Sequence, residues 1–138
     1  MMKTMKIYHT LPDCAMKLRV TVFTGEQGLI DCPDEIDKRA AHLVLFEGDM
    51  PIAVCRVFEE EGRWMLGRFA VLKEHRGKGA GRALLAFAEE YVREQKGREL
   101  TLHSQLDAKG FYSRLGYEEY GEIEYEQGCA HIWMKKKV

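Results

Sequence analysis

The chain has 138 residues, enough for one domain with a sizeable core and too few for two ordinary ones. Its 21 basic and 22 acidic residues leave a formal net charge of -1, which excludes general attraction to nucleic acid or an anionic membrane, so any phosphate binding has to be local. Apolar residues make up 46%, no apolar run is long enough to span a bilayer, and the start MMKTMKIYHTLPD has no signal-peptide core; the expectation is one cytoplasmic globular domain over residues 1–138.

Residues 6–10 predict a first strand. Pro12-Asp13 then opens a helix, with Leu11, Ala15, Leu18 and Val22 on one face at near-helical spacing. Residues 25–38 are polar, carry Gly and Pro, and read as a loop. Its acidic group, Asp31, Asp34, Glu35 and Asp37, lacks the D-x-D-x-D-G spacing and twelfth-position Glu of a calcium loop and reads first as solvated. Three strands follow at 42–47, 52–58 and 64–71, joined by turns of a few residues at Gly48-Asp49 and Glu61-Gly62, which predicts an antiparallel meander.

HRGKGAG, residues 75–81, separates that meander from a strong helix whose apolar face is Leu84, Phe87, Ala88 and Tyr91 and whose wet face is Glu89, Glu90, Arg93 and Glu94. Gly97 stops the helix, and residues 99–104 form a strand; a strand–helix–strand crossover of this length implies parallel pairing within one sheet. A short helix at 108–115 ends at Gly116, and two last strands are expected near 117–119 and 131–134. The fold class is therefore α/β, a mixed, mostly antiparallel sheet flanked by helices. The tail Lys135-Lys136-Lys137 reads as a solvated terminus. Cys14, Cys32, Cys55 and Cys129 are widely spaced with no C-x-x-C pair, which points to reduced thiols and no metal site.

The glycine stretch is either a solvated turn or a cradle of backbone N–H groups for phosphate. Glycines, consecutive N–H groups and a helix N-terminus behind them are what a cradle needs. The Walker pattern is absent, and a dinucleotide site is disfavoured because the loop follows an antiparallel meander.

Arg76-Gly77-Lys78-Gly79-Ala80-Gly81 resembles the Q/R-x-x-G-x-G/A signature of the GCN5-related N-acetyltransferases, in a matching context of Phe69-Ala70-Val71 before it and Arg82-Ala83-Leu84-Leu85 after it. GFYSRLGYEEYGE, residues 110–122, resembles the family's second hallmark, a Phe-Tyr in a short helix ended by glycine and an aromatic. LRVTVFTGEQGL, residues 18–29, with Asp37, His42 and the late CAHIWMKK, is similar to a bacterial subgroup of small acetyltransferases with an L-R-x-x-V-F-x-x-E-Q pattern.

The resemblance implies an acyl-CoA N-acyltransferase fold and an acetyl-CoA-dependent N-acetyltransferase acting on a small primary amine by direct attack. The alternatives are peptide or protein N-acetylation, or an acetyl-CoA-sensing module without turnover. The N–H groups of Arg76, Gly77, Lys78, Gly79, Ala80 and Gly81 would take the coenzyme A pyrophosphate. Phe69, Ala70 and Val71 would pair with the pantetheine arm in a gap beside residues 99–104. Tyr112 would contact the cosubstrate and, as a phenol protonated at neutral pH, give a proton to the leaving thiolate. Glu26 is the first choice of general base, directly or through water, with His42 and His103 as rivals because histidine titrates near neutrality. Gln105 stands where the family often has Asn, and the acidic loop becomes a possible acceptor-side wall for a cationic amine. Acetyl-CoA and an amine acceptor are the expected partners, without metal, nucleic acid or membrane; a homodimer is left open.

Overall fold

The apolar stretches in the middle of the chain build the centre of a seven-stranded sheet. In the computed structural model, which describes residues 2–138, the strands are β1 (Lys3–Tyr8), β2 (Ala41–Glu47), β3 (Met50–Glu60), β4 (Arg63–Val71), β5 (Glu99–Gln105), β6 (Glu118–Glu126) and β7 (Cys129–Lys137). They lie in the order β1-β2-β3-β4-β5-β7-β6, antiparallel except for the β4–β5 pair. The helices are α1 (Asp13–Arg19), α2 (Ala80–Glu94) and α3 (Lys109–Arg114), and α1 runs directly into a π-helical stretch, Val20–Glu26.

Both faces of the sheet centre are covered, which is why β2 and β3 read as continuous apolar runs. Leu43, Leu45, Val57, Leu66, Leu100 and Met134 pack against Leu84, Leu85 and Ala88 of α2. On the opposite face, Val44, Val54 and Ala70 meet Ala15, Leu18 and Val22, the predicted apolar stripe of the first helix.

The parallel pair is short. Trp64, Met65 and Leu66 face Leu100, Thr101 and Leu102, and pairing stops there. The cause lies on the other edge of β4. Arg56 faces Gly67 and Val54 faces Ala70, so Arg68 and Phe69 together oppose the single residue Cys55. This is a β-bulge, with Arg68 at φ +49°, and a bulged strand bends. β4 leaves β5 from Gly67 onward.

Three expectations are corrected. Glu89, assigned to the wet face of α2, is only 7% exposed, accepting from the Tyr117 hydroxyl at 2.8 Å and from Lys136 Nζ at 3.1 Å. The Lys135–Lys137 tail is accordingly the end of β7, with Lys136 turned to that carboxylate rather than to water. The last two strands run well beyond residues 117–119 and 131–134: β6 is an exposed, Glu-rich edge strand, so no apolar alternation marks its length. Smaller shifts move β1 to Lys3–Tyr8 and add a 3₁₀ turn, Ile36–Lys38, to the expected loop. The four cysteines are free thiols.

Gly97 ends the connection from α2 with no room for a side chain. A Cβ there would lie 2.5 Å from both Trp64 Cδ1 and Val92 Cγ1. Gly97→Ala should therefore destabilise the fold by roughly 1–3 kcal/mol through overpacking. Urea unfolding checks this, with a lowered midpoint and unchanged slope as the expected result.

Candidate active site

The glycine loop lies between β4 and α2, and its geometry is that of a cradle. Gly77 and Gly79 take φ of +73° and +87°, and a Cβ at either would meet nothing within 4 Å, so the loop is bare toward the outside. Gly79 caps α2, whose first-turn N–H groups have no partner within the helix. The Arg76 N–H is already donated to the Lys73 carbonyl at 3.3 Å, so the open donors begin at Gly77 rather than at Arg76. The Arg76 guanidinium is also committed, donating to the Val71 carbonyl at 2.9 Å and to both Glu26 oxygens at 2.9 and 3.0 Å.

Behind the loop, the divergence of β4 and β5 opens a cleft of about 430 Å³. Gly67, Arg68 and Phe69 form one side; His103, Ser104 and Gln105 form the other, and Tyr112 also lines it. The segment after the π-helical stretch crosses the cleft as a roof. Gln27 Oε1 accepts from Gln105 Nε2 at 2.8 Å, and the Gln127 amide holds the Ile30 N–H at 2.9 Å and its carbonyl at 3.1 Å.

Tyr112 projects from α3 into the α2-side core, between Phe69, Phe111 and Tyr117. Burial, with a smaller contribution from the nearby Cys55, pushes the phenol above its ordinary value, so it stays protonated at neutral pH.

The acidic loop is not solvated, contrary to the first reading. The Arg19 side chain, 1% exposed, holds Asp31 at 2.9 Å through two nitrogens and Asp37 at 2.9 Å, and both aspartate side chains are 3% exposed. Arg56 joins Asp34 at 2.7 Å to Asp37 at 2.9 Å, and Arg68 Nε reaches Asp31 at 3.2 Å. Only Glu35 points outward, pairing with Lys38. Burial alone would raise the Asp37 carboxyl, but hydrogen bonds from Arg19, the Asp34 N–H and Arg56 override it and hold the group well below the usual carboxylate range. Three arginines against three aspartates leave this wall without net charge, so it offers no general pull on a cationic amine.

The three candidate bases are spread apart. Glu26 is bound by Arg76 at the cradle and does not line the cleft. His42, 1% exposed on β2, donates from Nε2 to the Asp37 carbonyl at 2.9 Å, and burial lowers its pKa; it also lies outside the cleft lining. His103 alone lines the cleft, stacked on Trp133 with centroids 4.2 Å apart and donating from Nδ1 to Glu126 at 2.9 Å.

Comparison with known proteins gives this arrangement a family. A family model described as acetyltransferase (GNAT) domain matches residues 27–138, the stretch that carries the glycine loop, the split strands and the Phe-Tyr helix. This chain belongs to the GNAT acetyltransferases. A protein of Bacillus subtilis (strain 168) named as an acetyltransferase is 32% identical over 131 residues, covering 89% of this chain and 87% of that one. The crystal structure of a Lactobacillus plantarum protein described as an N-acetyltransferase superposes with a TM-score of 0.89 at 27% identity, covering 98% and 97% of the two chains. An acyl-CoA N-acyltransferase from Pseudomonas aeruginosa gives 0.82 at 26% identity, with 98% of each chain covered. The GNAT fold implies an acyl-CoA cosubstrate, and the cradle and split described above fit one.

Sequence reasoning missed several residues of this GNAT site. Arg19, Arg56 and Arg68 converge from three elements on the acidic loop, and Glu126, Gln127 and Trp133 reach the cleft from the β6–β7 hairpin. No local pattern carries such pairings. The near balance of 21 basic and 22 acidic residues was visible, but not which of them meet.

Because the folded-state pKa of Asp37 is depressed, its stabilisation is fully present above the ordinary aspartate value of about 3.9 and is lost as pH falls toward the folded value. Asp37→Asn leaves Arg19 and Arg56 facing a neutral group and should cost about 3–5 kcal/mol at pH 7. The difference between variant and wild type should shrink as pH drops below 4, read by denaturant unfolding at each pH.

Proposed function

We propose that this chain transfers the acetyl group of acetyl-CoA to a primary amine of a small molecule, by direct attack while both substrates are bound. The observation that carries the reading is the open β4 edge from Gly67 to Val71, in line with the bare glycine loop. A pantetheine arm can pair with that edge as an added strand would, and the N–H groups from Gly77 to Gly81 can then receive the pyrophosphate. The preference for acetyl-CoA over a longer acyl donor and for an amine acceptor comes from the family resemblance of the loop and the Phe-Tyr helix. A cytoplasmic location fits free thiols, one of them on an exposed residue, Cys32.

The roof supports a small acceptor over a peptide. Gln27 to Gln105 and Ile30 to Gln127 bridge the cleft at two points, and an extended chain needs an open groove. In the reaction, backbone donors of β4 orient and polarise the thioester carbonyl, and the site holds the amine on the attack path. Tyr112 gives its proton to the departing sulfur. The experiment is a thiol-release assay with acetyl-CoA and a panel of small amines and peptides. Turnover confined to small amines is expected; turnover only with peptides, or binding of acetyl-CoA without turnover, would favour the two alternative readings.

Gly79→Asp puts a carboxylate where an anion belongs and a side chain at φ +87°. Acetyl-CoA binding by calorimetry should be lost while the circular dichroism spectrum is retained. Unchanged affinity would remove the cradle from the reading.

Tyr112→Phe keeps the ring in its aromatic cluster and deletes the hydroxyl. Turnover should fall about 10²–10⁴-fold with acetyl-CoA affinity nearly unchanged. Wild-type turnover would mean that solvent protonates the thiolate.

A further inference from the structure

We propose that His103 is the general base of this site, and that Glu126 positions it by fixing its tautomer. The proposal rests on the acetyltransferase reading above and deepens it.

Pairing between β4 and β5 ends at Leu102, so His103 is the first β5 residue past the split. Leu100 and Leu102 point to the α2 side, where Tyr112 also lies. Side chains alternate along a strand, so His103 points to the other face, where it stacks on Trp133. Trp133 in turn packs with Phe58 and Met65. A proton donor and a proton acceptor therefore flank the split from opposite faces. An acyl group held in the split would present its sulfur to one and its attacking amine to the other.

The tautomer follows from the partners. A carboxylate only accepts, so the 2.9 Å contact to Glu126 Oε1 puts the ring proton on His103 Nδ1 and leaves a lone pair on Nε2. Glu126 comes from the β7–β6 side of β5. The ring's other nitrogen, Nε2, is thereby turned away from Glu126. Nε2 is enclosed and has no hydrogen-bond partner among the described residues. Such an atom costs stability unless a ligand supplies the donor. His42 also has a bare ring nitrogen, but it is sealed under β2 away from the cleft.

His103 Nε2 takes one proton from the acceptor ammonium, and the freed nitrogen lone pair forms the N–C bond to the thioester carbonyl. The C–S bond breaks with its electron pair on sulfur, and Tyr112 protonates that sulfur. The new amide nitrogen loses its second proton, which restores the Tyr112 phenol through solvent, and His103 returns its own proton to solvent. The net products are the acetylated amine, the free thiol and one proton.

Several charged and titratable groups face the ring. Glu126 of β6 and His131 of β7 stand beside it, with His131 Nε2 3.8 Å from Glu126 Oε2. Across the cleft are Glu60 and Arg56 of β3, Arg68 of β4, Asp31 of the roof segment and Tyr112 of α3. The test uses the full chain and the best amine from the panel. His103→Gln should lower kcat/KM by at least about 10²-fold, abolish the acidic limb of its pH profile and leave acetyl-CoA affinity by calorimetry unchanged. Glu126→Gln, on a side chain 60% exposed and so safe for folding, should lower kcat about tenfold and move the limb while leaving KM for acetyl-CoA alone. Glu26→Gln and His131→Gln should keep the limb. Independently of turnover, ¹⁵N NMR of the histidine rings should find neutral His103 with its proton on Nδ1. A proton on Nε2, or a limb that survives His103→Gln, overturns the assignment while wild-type turnover leaves the acetyltransferase reading standing. A wild type that binds acetyl-CoA but acetylates no amine overturns both.

Discussion

A strand that parts from its neighbour leaves backbone donors and acceptors facing a gap, and the rest of this molecule is organised around that one departure. β4 is held on its far side by β3 along its whole length, so the bulge at Arg68 and Phe69 can bend it without unravelling the sheet. Unpaired backbone polar groups are costly when buried dry. Here they face a cleft, which keeps them wet or available to a ligand. The same bend that breaks the parallel ladder also turns Arg68 toward Asp31, so the bulge builds a wall of the cleft as it opens the cleft.

That wall is a set of full charges with no net charge. Taking Arg19 and Asp37 out of water is expensive, and the expense is offset only because nearly every donor and acceptor is matched. The result ties α1, the roof segment, β3 and β4 together through directional contacts rather than through apolar packing alone. It also explains why the roof can lie over a polar cleft without a hydrophobic staple: Asp31 anchors one end, and Ile30 beside it, 77% exposed, is gripped through its backbone by Gln127.

The sheet and helices were legible because they bury apolar side chains at regular intervals, and the glycine loop because backbone exposure at a helix start demands residues without Cβ atoms. β2, β3, β4, α2 and the Phe-Tyr helix stand close to where periodicity puts them. What could not be read was long-range polar pairing. Glu89 looks solvated because it neighbours Glu90 along the chain, yet a helix turn carries it beneath Tyr117 and Lys136. The acidic loop looks solvated for the same reason, since its three arginines come from residues 19, 56 and 68. In one dimension Glu26 was the first choice of base and His103 a rival; in three, Arg76 occupies the first and the cleft meets only the second. The short β6 expectation failed because an edge strand with both faces wet has no pattern to find.

Phe111 stands edge-on to Tyr112, with ring centroids 5.1 Å apart. Its ring also rests on the first turn of α2: a Cβ on Gly81 would come within 3.2 Å of Phe111 Cζ, and Phe69 closes the third side. One benzene ring thus fills the space between the helix that begins at the cradle, the strand that borders the cleft and the helix that bears the phenol. Its thickness cannot change, so it acts as a gauge block: the span from the glycine loop to the Tyr112 hydroxyl is set by the packing of the core. In the proposed reaction, a donor is therefore measured against a length set by the core, from the glycine loop to the sulfur that Tyr112 protonates.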